Sequence, residues 1–89
     1  IEIEVRNLTE LAEVLAQEKV DRVMLDNFSP AQVAEAVELI DGRLITEASG
    51  GITLSSIRAF ADAGVDYISV GALTHSVKCL DLSLKAKLI

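Results

Sequence analysis

Strand-type and helix-type patterns alternate along this chain at a nearly constant step, and that alternation restricts the fold more than any other feature. Short β-type runs occupy Ile1 to Val5, Arg22 to Asp26, Leu44 to Ala48 and Tyr67 to Val70. Their polar or glycine-bearing ends, Glu4, Asp26, Ser49 and Gly71, stand 22, 23 and 22 residues apart. One tight βα unit fits in each period. Strict alternation of this kind implies parallel strands joined by right-handed crossovers. The expected fold class is therefore α/β: a parallel-stranded, partial (half) TIM-like barrel, or a small open sheet, built of consecutive βα units. Four such strands leave both sheet edges bare, a state that soluble proteins avoid by covering or pairing them.

Three amphipathic patterns fill the gaps. In the first, Leu8, Leu11, Ala12 and Leu15 fall at helical spacing, with Asn7 as N-cap and Glu10 as its capping-box partner. The second opens with Ser29 and Pro30, places Val33, Val37 and Ile40 on one face, and stops at Asp41-Gly42. The third takes Thr53 as cap, buries Leu54, Ile57 and Ala61, and ends at Gly64. The tail from Leu80 to Leu88 alternates leucine or alanine with other residues and reads as a final extended segment.

Composition adds to this. Of the 89 residues 51% are hydrophobic, and the mean hydropathy is +0.41, high for a small domain that exposes much of its surface. The chain also opens directly in strand alternation, with no Met. Both features give the expectation of an excerpt from a larger chain with residues missing upstream. The net charge of −6 and eight scattered basic residues argue against nucleic acid as a partner. Cys79 is the single cysteine, which points to a reducing, cytoplasmic compartment. No apolar run reaches the ~20 residues of a membrane span.

Parallel α/β folds gather ligands outside the carboxyl ends of their strands. The residues expected there are Glu4, Asp26, Asn27, Glu47, Ser49, Gly50, Gly51 and Gly71. Two glycine-bearing loops, Ser49-Gly50-Gly51 and Val70-Gly71-Ala72, each follow an apolar run and precede a helix-like pattern. Backbone without a Cβ can approach an oxyanion closely, and a helix opening near Thr53 adds free N–H groups. Such glycines also make ordinary βα turns, but two in consecutive units favour phosphate binding. Glu4 and Asp26 read as acceptors for sugar hydroxyls or as ligands of a hard cation such as Mg²⁺. Glu2 shares a face with Glu4, so one of the two can be a paired strand carboxylate, and Asp26 can also serve an Asx-type turn. His75 is the lone histidine, and Cys79 reads as a small buried residue. Arg6, Arg22, Arg43 and Arg58 fall at different element ends and form no cluster in sequence.

Taken in order, Ile1-Glu2-Ile3-Glu4-Val5, Met24-Leu25-Asp26-Asn27, Glu47-Ala48-Ser49-Gly50-Gly51-Ile52 and the run from Gly64 to Ser76 resemble the C-terminal part of quinolinate phosphoribosyltransferase. The family is also called carboxylating nicotinate-nucleotide pyrophosphorylase. The resemblance covers nearly the whole chain, and its last block is specific. It implies that residues 1–89 are the C-terminal part of an α/β-barrel domain, with the N-terminal domain and the first half of the barrel absent. It further implies Mg²⁺-dependent transfer from phosphoribosyl pyrophosphate to quinolinate with decarboxylation, in NAD biosynthesis, by a homodimer or larger homo-oligomer.

Residue by residue, Glu4 and Asp26 match the acidic positions around ribose and metal. Ser49, Gly50 and Gly51 match the first phosphate loop, and Val70, Gly71 and Ala72 the second. Glu47 and His75 are further candidates, and His75 matches a signature histidine with no role assigned. The cations that the family places on the quinolinate carboxylates have no counterpart here, so this chain alone is expected to be an incomplete catalyst. Two alternatives stay open: a protein of the same fold acting on another substrate, and a non-catalytic half-barrel that only binds phosphate.

Overall fold

A computed structural model describes residues 1–53, 55–69 and 76–78. The elements run β1 (Glu2–Val5), α1 (Leu8–Leu15), β2 (Arg22–Asp26), α2 (Pro30–Ile40), β3 (Ile45–Ser49), α3 (Ile57–Asp62), β4 (Tyr67–Ser69) and β5 (Ser76–Lys78). They form one sheet in the order β1-β2-β3-β4-β5. The first four strands are parallel, which is the open sheet of consecutive βα units expected of a partial barrel. The last is antiparallel to β4. That corrects two expectations: a strand follows the second glycine loop where a helix-like pattern was read, and β4 does not present a bare edge. Leu54, Cys79 and the Leu80 to Leu88 tail lie outside the described residues.

Register sorts the side chains. Val5 pairs with Leu25, Leu25 with Ala48, and Ala48 with Ile68, and all four are at most 3% exposed. Because side chains alternate along a strand, this row and its neighbours Ile3, Val23 and Thr46 face the helices. The apolar cluster is completed by Leu11 and Val14 of α1, by Val33, Ala36 and Ile40 of α2, and by Phe60 of α3. The other face carries Glu2 and Glu4 of β1, then Arg22, Met24 and Asp26 of β2. Glu47 and Ser49 of β3 and Tyr67 and Ser69 of β4 continue it. Few of these residues are apolar.

The helices begin and end largely as their signals dictate, with informative differences. Asn7 accepts from Glu10 N at 2.8 Å, but the Glu10 carboxylate takes the amide of Arg6 instead of Asn7, so the reciprocal box is not closed. Leu11 and Val14 form the buried stripe of α1 while Ala12 is exposed; the larger side chain one step round the helix fills the core better than a methyl group. Ser29 and Gln32 do form a full capping box ahead of α2, and Asp41 and Gly42 end it with φ of 50° and 77°. The third helix opens later than expected. Thr53 and Ser56 are occupied with each other in a turn, α3 starts at Ile57, and Phe60 is its buried residue.

One side chain ties the entry of β4 to β3. Asp66 Oδ2 accepts from Thr46 N at 2.9 Å and from Thr46 Oγ1 at 3.1 Å, while Asp66 N donates back to Thr46 Oγ1 at 3.0 Å. Thr46 is 3% exposed, so its hydroxyl needs these partners. Replacing Asp66 with Ala in the intact polypeptide is expected to lower stability by about 1–2 kcal/mol. Urea unfolding, read as a lower midpoint at unchanged slope, checks it.

Candidate functional site

The carboxyl ends of β2 and β3 are locked together by backbone. Asp26 pairs with Ser49, Asn27 N donates to Ser49 O at 2.9 Å, and Ser49 Oγ donates to Asp26 Oδ1 at 3.4 Å. Asn27 takes a left-handed conformation with φ of 62°, which turns the chain sharply away from β2. Asp26 and Ser49 are half-buried, so both reach solvent at the strand ends.

The two glycines of the first loop have different reasons for being glycine. A Cβ on Gly50 would stand 2.8 Å from Asn27 N and 3.0 Å from Asp26 Oδ1, and its φ is +94°. Gly50 thus lets its own loop pack on the Asp26-Asn27 backbone. Around Gly51, with φ of +68°, nothing lies within 4 Å of where a Cβ would be. Its missing side chain faces open space, where a ligand could come close. The helix end expected to add N–H groups at Thr53 is displaced to Ile57, and Thr53 N already donates to Ser56 Oγ at 3.0 Å. The loop backbone, rather than a helix terminus, is therefore what this side offers an anion.

Glu4 pairs with Met24, and Met24 pairs with Glu47, which sets both carboxylates one step below Asp26 and Ser49 on the polar face. Glu4 is exposed, and among the described residues it makes no hydrogen bond or ion pair. Glu47 is the opposite case, at 3% exposure. Its Oε1 accepts from Arg22 Nη2 and its Oε2 accepts from Ser69 Oγ at 2.8 Å. Arg22 also lies over the Tyr67 ring, 4.4 Å from the centroid. Glu2 Oε2 is 3.8 Å from Arg22 Nε, so of the first two glutamates it is Glu2 that takes the paired role.

The hydrogen bond to Glu47, more than the nearby charges of Glu47 and Glu2, holds the Arg22 guanidinium above its ordinary pKa against the opposing effect of burial. An arginine raised in this way stays charged through the whole ordinary pH range. Sequence reading missed this grouping because Arg22 and Glu47 are 25 residues apart. The signal was present in the alternation of the two strands, once aligned by their shared period. Among the described residues no group of three or more His, Cys, Asp or Glu converges on a metal position. Val70, Gly71, Ala72 and His75 lie outside the described residues.

Two stability predictions follow from these contacts. Gly50→Ala meets backbone at 2.8 Å and a positive φ, whereas Gly51→Ala meets the positive φ alone, which costs about 1–2 kcal/mol. Thermal melts of the two variants should show Gly50→Ala clearly lower. Arg22→Ala leaves Glu47 buried without its guanidinium and is expected to cost about 3 kcal/mol, the low end for breaking a buried pair. Chemical unfolding of that variant measures it.

Comparison with known proteins agrees with this fold. The family described as quinolinate phosphoribosyl transferase, C-terminal domain, matches residues 1–85. A probable carboxylating nicotinate-nucleotide pyrophosphorylase of Methanocaldococcus jannaschii is 50% identical over 91 residues, covering 94% of this chain and 32% of that protein. A mitochondrial, decarboxylating quinolinate phosphoribosyltransferase of Nicotiana tabacum is 46% identical over 99 residues, covering 96% of this chain and 28% of its own length. Among solved structures, the nicotinate-nucleotide pyrophosphorylase of Francisella tularensis superposes with a TM-score of 0.75 at 47% identity, over 88% of this chain and 28% of that one. The enzyme of the same name from Ehrlichia chaffeensis gives 0.77 at 37% identity, over 84% and 27%. The chain spans about three-tenths of the length of the curated relatives it matches.

Proposed function

The chain belongs to the quinolinate phosphoribosyltransferase family, and on that premise we propose that it supplies the ribose and phosphate side of a phosphoribosyl-transfer site. The full reaction moves the phosphoribosyl group from phosphoribosyl pyrophosphate to quinolinate with loss of CO₂, giving nicotinate mononucleotide and pyrophosphate. In this reading residues 1–89 are the C-terminal part of the barrel domain, and the homo-oligomeric whole acts in the cytoplasm. The observation that carries the reading is the lock between Asp26, Ser49 and Gly50 at adjacent strand ends, with Glu4 on the same face. It gives a phosphorylated sugar a loop of exposed backbone beside two carboxylates.

Each residue has a distinct task. The backbone of Ser49, Gly50 and Gly51 holds phosphate on one side, and the family resemblance assigns a second phosphate contact to Val70, Gly71 and Ala72. Glu4 and Asp26 accept hydrogen bonds from the ribose hydroxyls and fix the ring. As pyrophosphate departs, positive charge develops at the sugar, and two nearby carboxylates stabilise it in place.

The donor set also suits Mg²⁺, which is commonly held by one or two carboxylates together with substrate phosphates. Glu4 and Asp26 would hold it, and the ion would offset the charge of the pyrophosphate. Arg22 is not available to the phosphates, being committed to Glu47. In this reading the cations that recognise quinolinate come from outside these 89 residues.

Glu4→Gln and Asp26→Asn in the intact polypeptide are each expected to lower kcat by about 100-fold or more, the scale of losing one electrostatic stabiliser of the transition state. The assay follows nicotinate mononucleotide formed from quinolinate and phosphoribosyl pyrophosphate. Turnover near the parental rate in both variants would overturn the assignment.

A further inference from the structure

Glu47 is a buried carboxylate that the proposed chemistry leaves unused, and its position is unusual. It stands on the polar face directly below Ser49, two residues before it on β3, at the base of the first phosphate loop. Through Oε2 it holds Ser69, the last residue of β4. Through Oε1 it holds Arg22 of β2. One carboxylate thus joins three strands beneath the first loop.

A negative charge at that place is costly unless it is cancelled. An anion 3% exposed must be paired, and an unpaired one beneath a phosphate loop would also repel the ligand above it. Arg22 meets both needs, and the Tyr67 ring packs against the guanidinium. Arg22 Nε is buried with no hydrogen bond among the described residues, and Glu2 at 3.8 Å shares the charge without closing that bond. The guanidinium is therefore anchored chiefly through Glu47.

We propose that Glu47, with Arg22, is a positioning residue for phosphoribosyl pyrophosphate: it fixes Ser69, and so the carboxyl end of β4, against β3 beneath the Ser49-Gly50-Gly51 loop, while the arginine keeps its charge from opposing the phosphates. It touches no ligand. This inference rests on the reading that the loops bind phosphoribosyl pyrophosphate. Its effect falls on that ligand and not on quinolinate or on the chemical step.

Ser69→Ala is the mild test, because it removes one hydrogen bond and leaves the ion pair in place. In the intact polypeptide it should weaken phosphoribosyl pyrophosphate binding, measured by calorimetry, by about fivefold, the scale of one hydrogen bond. The KM for quinolinate and kcat should stay within about twofold of the parent. Arg22→Gln should weaken phosphoribosyl pyrophosphate binding more, because it leaves Glu47 charged, and adding Glu47→Gln to it should restore part of the loss. Unchanged binding in Ser69→Ala, equal losses for both substrates, or a double variant weaker than Arg22→Gln would each overturn the proposal. A parent that binds phosphoribosyl pyrophosphate without turning over quinolinate would overturn the proposed reaction and leave this inference standing. A parent that does not bind it at all would overturn both.

Discussion

The polar face depends on the register that sets Ala48 between Leu25 and Ile68. With a side-chain period of two, a slip of one residue would turn Glu47 and Ser49 toward the helices and Thr46 and Ala48 toward solvent. Burial of the Val5, Leu25, Ala48 and Ile68 row against the helix layer makes that slip prohibitive. The apolar underside therefore decides where the carboxylates of the upper side stand. Packing and chemistry are two faces of one alignment.

On that upper side two carboxylates are organised in parallel ways and two are not. Asp26 is linked across the sheet to Ser49, and Glu47 to Ser69. Each bond joins a strand to its neighbour near the end where the chain leaves the sheet. Glu2 spends its charge on Arg22, and Glu4 remains exposed. The face is thus graded: a neutralised pair in its middle, and acidic oxygens at and just below the rim. Such a surface suits a cation-bearing or hydroxyl-rich ligand, and it leaves the anionic half of a substrate to backbone N–H groups and to cations from elsewhere.

Much of this was legible in the sequence, for physical reasons. The βα period and the cap residues Asn7, Ser29 and Pro30 are local signals, so the order and type of the first seven elements could be read directly. Local signals also misled. Glu10 takes the amide of Arg6, and Thr53, a cap-type residue ahead of an apolar pattern, closes a turn before α3. The loop glycines were legible as glycines, but not their division of labour, since Gly50 answers to Asn27, 23 residues earlier. Arg22 was the largest omission. Its partners are on other strands, and only register brings them together.

The proposed function requires that phosphoribosyl pyrophosphate be held at the carboxyl ends of these strands. Its most direct test is a crystal structure of the intact polypeptide with phosphoribosyl pyrophosphate bound. The expected result is a phosphate against the Ser49-Gly50-Gly51 backbone and the ribose beside Glu4 and Asp26. Phosphates seated instead at the opposite ends of the strands, in the cleft that Arg43 and Lys78 line with Tyr67, would contradict it.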